Sequence, residues 1–216
     1  MEINTSTVEL VAITPNPEKV IEEAGRTCYL SFDNMGEGTE DGFIRRSIGR
    51  QHLSILEHAS ATFRIKGASR AFTHQLVRHR MASFSQQSQR YVKEDEFDFI
   101  VPPSIKENAE AYAEFMKCME SCRESYRKLR SMSILKEDAR FLLPNALESE
   151  IVFTANMREF RHLFEIRLEP HAQWEIRRVC MQMLLILKKE APSVFGDFEI
   201  VDESKWIARI NPASGK

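Results

Sequence analysis

Residues 78–90 read Arg-His-Arg-Met-Ala-Ser-Phe-Ser-Gln-Gln-Ser-Gln-Arg. Two backbone readings compete over this stretch. Upstream, Ser69 is placed to cap a helix carrying Ala71, Phe72, Leu76 and His79 or Arg80. If that helix ran on, Arg78 and Arg80 would point about 200° apart and could not grip one anion. If it stops, the arms splay, and the polar run from Ser83 is free to extend. In an extended chain Gln86, Ser88 and Arg90 share one side, a row about 13 Å long of carboxamide, hydroxyl and guanidinium. A chain that passes from helical spacing to period two within a few residues has mixed helix and strand.

The charge of the stretch is as informative as its period. No Asp or Glu occurs from His58 to Lys93, whereas Arg64, Lys66, Arg70, Arg78, Arg80, Arg90 and Lys93 are all cationic. With 32 acids in 216 residues, about five are expected in such a window. A one-sided local field inside a chain of net charge −2 points to an anionic ligand, most simply phosphate. Part of the pattern is also what a helix C-terminus favours by itself. Arg and Ser suit phosphate oxygens, and a Gln amide can read a base edge, so a mononucleotide fits better than a polymer.

The rest of the chain reads as one α+β domain over 1–216, with a small, mostly antiparallel sheet and several helices. Val8–Thr14 is a strand. Asn16 and Pro17 open a helix to about Cys28, with Asn16 as its cap. Asp33–Gly42 is a loop, and Phe43 to about His52 a helix. Ala61, Phe63 and Ile65 alternate with Thr62, Arg64 and Lys66 in a half-buried strand ending at Gly67. Tyr91-Val92 is extended, and Phe97–Val101 is a strand stopped by Pro102-Pro103. Ala109–Met132 is a long helix with Phe115, Met119, Cys122 and Tyr126 on one stripe. Lys136–Leu143 is a short helix, Glu150–Ala155 a strand, and Met157–Leu168 and His171–Lys189 are helices parted by Pro170. The last 20 residues are mixed. No repeat or linker divides the chain. The apolar helices leave area for an oligomer interface.

Several classes fall away. The chain lacks a basic-then-apolar leader, and its longest greasy run, Val179–Leu187, is too short to span a bilayer. The four cysteines form no Cys-x-x-Cys pair, so a reduced, cytoplasmic protein is expected. Cys118 and Cys122 pack as small apolar residues rather than bind metal. His52, Glu57 and His58 lack helical zinc spacing, and no metal is expected. There is no glycine-rich dinucleotide fingerprint, so side chains must hold any dinucleotide. Asn156, Phe160, Leu163 and Arg167 recur at helical spacing, which puts Arg167 on an apolar stripe. There it needs either a structural acid such as Glu165 or Glu169, or a ligand. Arg140 is either a solvated charge or a phosphate ligand.

Arg78-His79-Arg80, seven residues, then Ser88 and Arg90 resembles the signature of flavin-dependent thymidylate synthases. Glu57-His58, Gln75, Asp138-Ala139-Arg140 before Leu143-Pro144, Asn156 and His171-Ala172-Gln173-Trp174-Glu175 agree in order and spacing, so the likeness runs from about Arg26 to Ala191. It implies a homotetramer that methylates dUMP to dTMP, with methylenetetrahydrofolate giving the carbon and NADPH-reduced FAD the electrons. It places dUMP on Gln75, Arg78, Gln86, Gln87, Ser88, Gln89, Arg90 and Arg140. Arg167 meets the uracil and stabilises its negative charge. FAD falls to Ser54, Arg78, His79, Arg80, Gln86, Asn156, Arg158 and His162. Position 86 is Gln where some members have Glu, and position 162 is His where some have Asn. The better-known thymidylate synthases attack uracil with a low-pKa cysteine. Cys180 instead lies on an apolar stripe with Ile176, Met183 and Leu187, so no cysteine nucleophile is expected. The rivals are a nucleic-acid-binding module, opposed by the acidic pI, and a flavoprotein that methylates uracil within RNA.

Overall fold

The structure, a computed structural model, describes residues 1–3 and 5–211. Its strands are β1 (Glu2–Ile3), β2 (Thr7–Ile13), β3 (Ser60–Lys66), β4 (Ala82–Gln86), β5 (Phe99–Ile100), β6 (Ile151–Asn156), β7 (Phe198–Asp202) and β8 (Ile207–Ile210). Its α-helices are α1 (Pro17–Thr27), α2 (Thr39–Gly49), α3 (Arg70–Leu76), α4 (Pro103–Lys106), α5 (Ala109–Ser131), α6 (Lys136–Ala139), α7 (Met157–Arg167), α8 (Trp174–Glu190) and α9 (Pro192–Phe195). The described residues gather into two compact units, and no single cut in the sequence separates them. The first takes 1–7, 65–77 and 85–151; the second takes 8–64, 78–84 and 152 onward.

The second unit is built on the antiparallel sheet, in the order β2-β3-β6-β4. Along β3, Ala61, Phe63 and Ile65 are fully buried and alternate with more exposed neighbours, as the period-two pattern requires. Aromatic rings carry the packing outward. Phe63 and Phe153 meet Phe160 of α7 edge-on at 5.5 and 5.3 Å, Phe84 stacks on Phe153, and Phe164 contacts Phe195 and Phe198. The buried face of α8 is Ile176, Val179, Cys180, Met183, Leu184 and Leu187. The mixed C-terminal reading becomes the hairpin β7-β8; residues 212–216 lie outside the described residues.

The first unit packs Phe97, Phe99, Val101 and Leu147 against Met119 of α5, with Phe115, Tyr112 and Cys122 beside them. β1 pairs with β5 in parallel. Helix α3 begins where Ser69 Oγ accepts the Phe72 N–H at 3.1 Å. Gly67 lets the chain turn between β3 and α3. Its φ is +66°, and a Cβ there would sit 2.7 Å from the Thr5 carbonyl oxygen.

Six expectations need correction, the first two being that Phe97–Val101 is a strand only at Phe99–Ile100 and that Lys136–Leu143 divides into α6 and a 3-10 turn at Arg140–Leu142. Helix α2 starts at Thr39, four residues before Phe43, because Gly38 in the left-handed region gives the chain its entry and acids occupy the first turn. Asn16 precedes α1 but makes no side-chain cap; its φ is 48°. Helix α8 begins at Trp174, capped by the Gln173 side chain, rather than at His171. Ser88 to Val92 is not extended. The Ser88 carbonyl accepts the N–H groups of Tyr91 and Val92, closing a turn.

Candidate active site

Helix α3 ends at Leu76 and strand β4 begins at Ala82, so Arg78–Met81 form a connector. The arms do splay. Arg78 and Arg80 are exposed, and His79 between them is buried. In the second unit His79 Nδ1 lies 3.2 Å from Glu159 Oε1, and the Arg167 Nε–H donates to His79 Nε2 at 3.0 Å. Burial first, then the Arg167 charge, lowers the His79 pKa from its usual value; Glu159 opposes them.

Asn156 caps α7, its Oδ1 accepting the Glu159 N–H at 2.9 Å. The first turns of α7 then present Asn156, Arg158 and His162 around a cleft of about 340 Å³, with Leu53, Glu57, Met81 and Glu165 on its walls. Arg158 pairs with Glu57 at 2.5 Å, and the His162 ring lies 6.0 Å from that of His79. Ser54 faces a neighbouring hollow that also reaches Arg158. The donors are an amide, an imidazole and guanidinium groups, with Met81 and Leu53 as apolar wall. That chemistry fits a flavin nucleotide, whose pyrophosphate is anionic and whose ring is flat and apolar.

The first unit holds the other candidates. Gln75 is half-buried on α3. Gln86, the last residue of β4, donates through Nε2 to Thr73 Oγ1 at 2.9 Å and Ser149 Oγ at 3.0 Å. Gln87 donates to the buried Glu94 at 3.1 Å. Ser88, Gln89 and Arg90 lie in the turn, where Ser88 Oγ accepts the Arg90 N–H. The extended row of Gln86, Ser88 and Arg90 is thus replaced by a folded one. Arg90 and Arg140 converge on Glu137: Arg90 Nε donates to its carboxylate at 3.0 Å and Arg140 Nε to its carbonyl at 3.1 Å. Arg70 belongs to the same cationic corner. Burial and the charge of Arg140 both lower its pKa.

Spacing alone missed Glu137 and Glu159, and named Arg70 only as one cation of the window. Asn156 followed three residues later by Glu159 is a helix-start pattern and carried a signal for the last. The acid-free window is also less one-sided in space: Glu150, Glu159 and Glu137 reach Lys66, His79 and Arg90. Cys180 is fully buried, and burial raises its thiol pKa strongly. Among the described residues no helix is long and apolar enough to cross a membrane, and no three His, Cys, Asp or Glu side chains cluster as a metal site would need.

The sequence family described as "Thymidylate synthase complementing protein" matches residues 9–193. A flavin-dependent thymidylate synthase of Geobacter sulfurreducens is 42% identical over 198 residues, covering 88% of this chain and 85% of its own. The Pyrococcus furiosus protein of the same name is 43% identical over 187 residues, with 82% and 77% covered. Among solved structures, the UMP/dUMP methylase PolB from Streptomyces cacaoi, bound with 5-Br dUMP, superposes with a TM-score of 0.82 at 26% identity. The match covers 90% of this chain and 95% of that one. With residues 9–193 matched by the family and relatives above 40% identical covered over most of their length, the chain belongs to the flavin-dependent thymidylate synthase family.

Proposed function

We propose that this protein methylates dUMP to dTMP, taking the carbon from methylenetetrahydrofolate and the electrons from NADPH through FAD. The observation that carries the reading is the seating of Asn156, Arg158 and His162 around one cleft, beside the His79 that holds Arg167. When bound, FAD supplies the redox chemistry. The chain supplies binding, orientation and charge. Arg90 and Arg140, with Arg70 beside them, take the phosphate of dUMP, a dianion that outcompetes the Glu137 carboxylate for guanidinium donors. Gln75, Gln86, Gln87, Ser88, Gln89 and Arg78 complete the nucleotide contacts. Arg167 donates to the uracil and stabilises the negative charge left as N3 loses its proton. Ser54, Arg78, His79, Arg80, Gln86, Asn156, Arg158 and His162 serve the flavin. The reading needs no thiol attack on the ring; Cys180 is fully buried, and burial raises its thiol pKa strongly.

The working assembly is a homotetramer that shares its active sites between subunits, in the cytoplasm, where its four free thiols stay reduced. Large apolar side chains support the assembly: Leu135 and Phe141 are exposed in the first unit, and Tyr29 and Leu30 in the second. Light scattering should give four times the chain mass.

The test is the visible spectrum of the purified protein, followed by NADPH-dependent release of tritium from 5-tritiated dUMP. Flavin absorbance with tritium release is expected. A protein that takes up no FAD, or one that releases no tritium when loaded, overturns the reading. The solved neighbour acts on UMP as well as dUMP by name, so UMP belongs in the same assay, with dUMP preferred.

A further inference from the structure

We infer that Glu159 is a positioning residue: it fixes the tautomer of His79, and His79 in turn holds the guanidinium of Arg167 in place for the uracil. The inference rests on the dUMP reading above. It starts from donor chemistry. An arginine Nε–H can only donate, so the bond at 3.0 Å requires a bare Nε2 on His79. A neutral imidazole with a bare Nε2 carries its proton on Nδ1, and that nitrogen faces Glu159 Oε1 at 3.2 Å. His79 and Glu159 are both buried, at 6% and 8% exposure, so neither can exchange its partner for water at low cost.

Glu159 and Arg167 lie eight residues apart on α7, roughly 12 Å along its axis. His79 bridges them from the connector. Glu159 is itself anchored, since its N–H is held by the cap residue Asn156. The charged groups facing His79 are Glu159, Arg167 and His162, all from α7, and the buried thiol of Cys180 on α8 feels Arg167. Protonating His79 would place an N–H against the Arg167 cation and break the bond.

A purely structural tie would fix the same tautomer but leave dUMP affinity unmoved, so spectroscopy tests the tautomer, and affinity with its acid limb separates the two roles. Nitrogen-15 spectroscopy of histidine-labelled protein, with His79→Asn identifying the resonance, should find His79 protonated on Nδ1 in the parent and on Nε2, or mixed, in Glu159→Ala. Equilibrium dialysis should show Glu159→Ala binding dUMP roughly tenfold or more weakly at pH 8. In Glu159→Gln the amide oxygen still accepts the Nδ1 proton, and affinity should return to within about threefold of the parent.

Parent affinity should fall below pH 6.5 as His79 protonates. Both variants should move that fall to lower pH, because Glu159 favours the charged imidazole; comparison with the parent cancels the phosphate's own titration. Thermal melting confirms that each variant is folded. His79 protonated on Nε2 in the parent overturns the inference, as does a folded Glu159→Ala that binds dUMP like the parent with the same acid limb. A parent that binds no dUMP at any pH overturns the site reading beneath it, and the two failures are distinct.

Discussion

Arg167 shows how surroundings bear on the role proposed for one residue. Its helical position puts it beside buried neighbours, and a half-buried guanidinium there is tolerable only when its donors are used. His79 uses one of them. Arg167→Ala should therefore lower turnover by about a hundredfold or more while leaving flavin content unchanged. Absorbance and tritium release on the same sample check this, and normal turnover would remove the assigned role. Cys180 gives the opposite case. Its thiol is enclosed by α8 packing, and burial pushes its pKa up, away from the thiolate that a nucleophile needs. Cys180→Ala should keep turnover within about threefold and cost about 1 kcal/mol of stability in urea unfolding. A folded but inactive variant would reopen a thiol mechanism.

Elements were legible where a local rule acted alone. The period of β3, the apolar stripe of α5 and the Ser69 cap all follow from residues within one turn or one pleat. Ser69→Ala should cost about 1 kcal/mol, seen as a lower urea midpoint with the slope unchanged; an unaltered midpoint would mean that the hydroxyl is idle. Boundaries failed where the deciding group lay outside the periodic stretch. The start of α2 depended on Gly38, and the turn at Ser88 on two backbone N–H groups folding back to one carbonyl. The polar run 86–90 has no apolar period to fix it, so the extended row that side-chain alternation offered gives way to a turn after Gln86.

At the scale of the whole molecule, buried ionisable groups set opposite pH trends. Burial raises the pKa values of Glu94 and Glu148, with Gln87 and the Gly67 N–H opposing. Their folded forms hold protons longer than the unfolded chain does. Each therefore subtracts stability as pH rises above 4.5 through its folded pKa. His79, with its pKa lowered, instead subtracts stability as pH falls below 6.5. Glu94→Gln keeps an oxygen for Gln87 and removes the buried charge. Its unfolding free energy relative to the parent should climb between pH 4.5 and 8, measured by urea titration. A flat difference would show that the folded pKa of Glu94 is not raised, its burial being offset by Gln87 and Arg70.

The chain by itself determined the chemistry on offer: an acid-free cationic window, the Arg78-to-Arg90 signature and its family, the alternating strands and the amphipathic helices. These depend on residue type and short spacing, which a linear string preserves. Only the tertiary structure decided which acids answer those cations, that Arg90 and Arg140 share Glu137, and that His79 stands between Glu159 and Arg167. The partners of His79 are 80 and 88 residues away in sequence. A hydrogen bond acts over about 3 Å of space whatever the separation along the chain, so no local pattern could have named them.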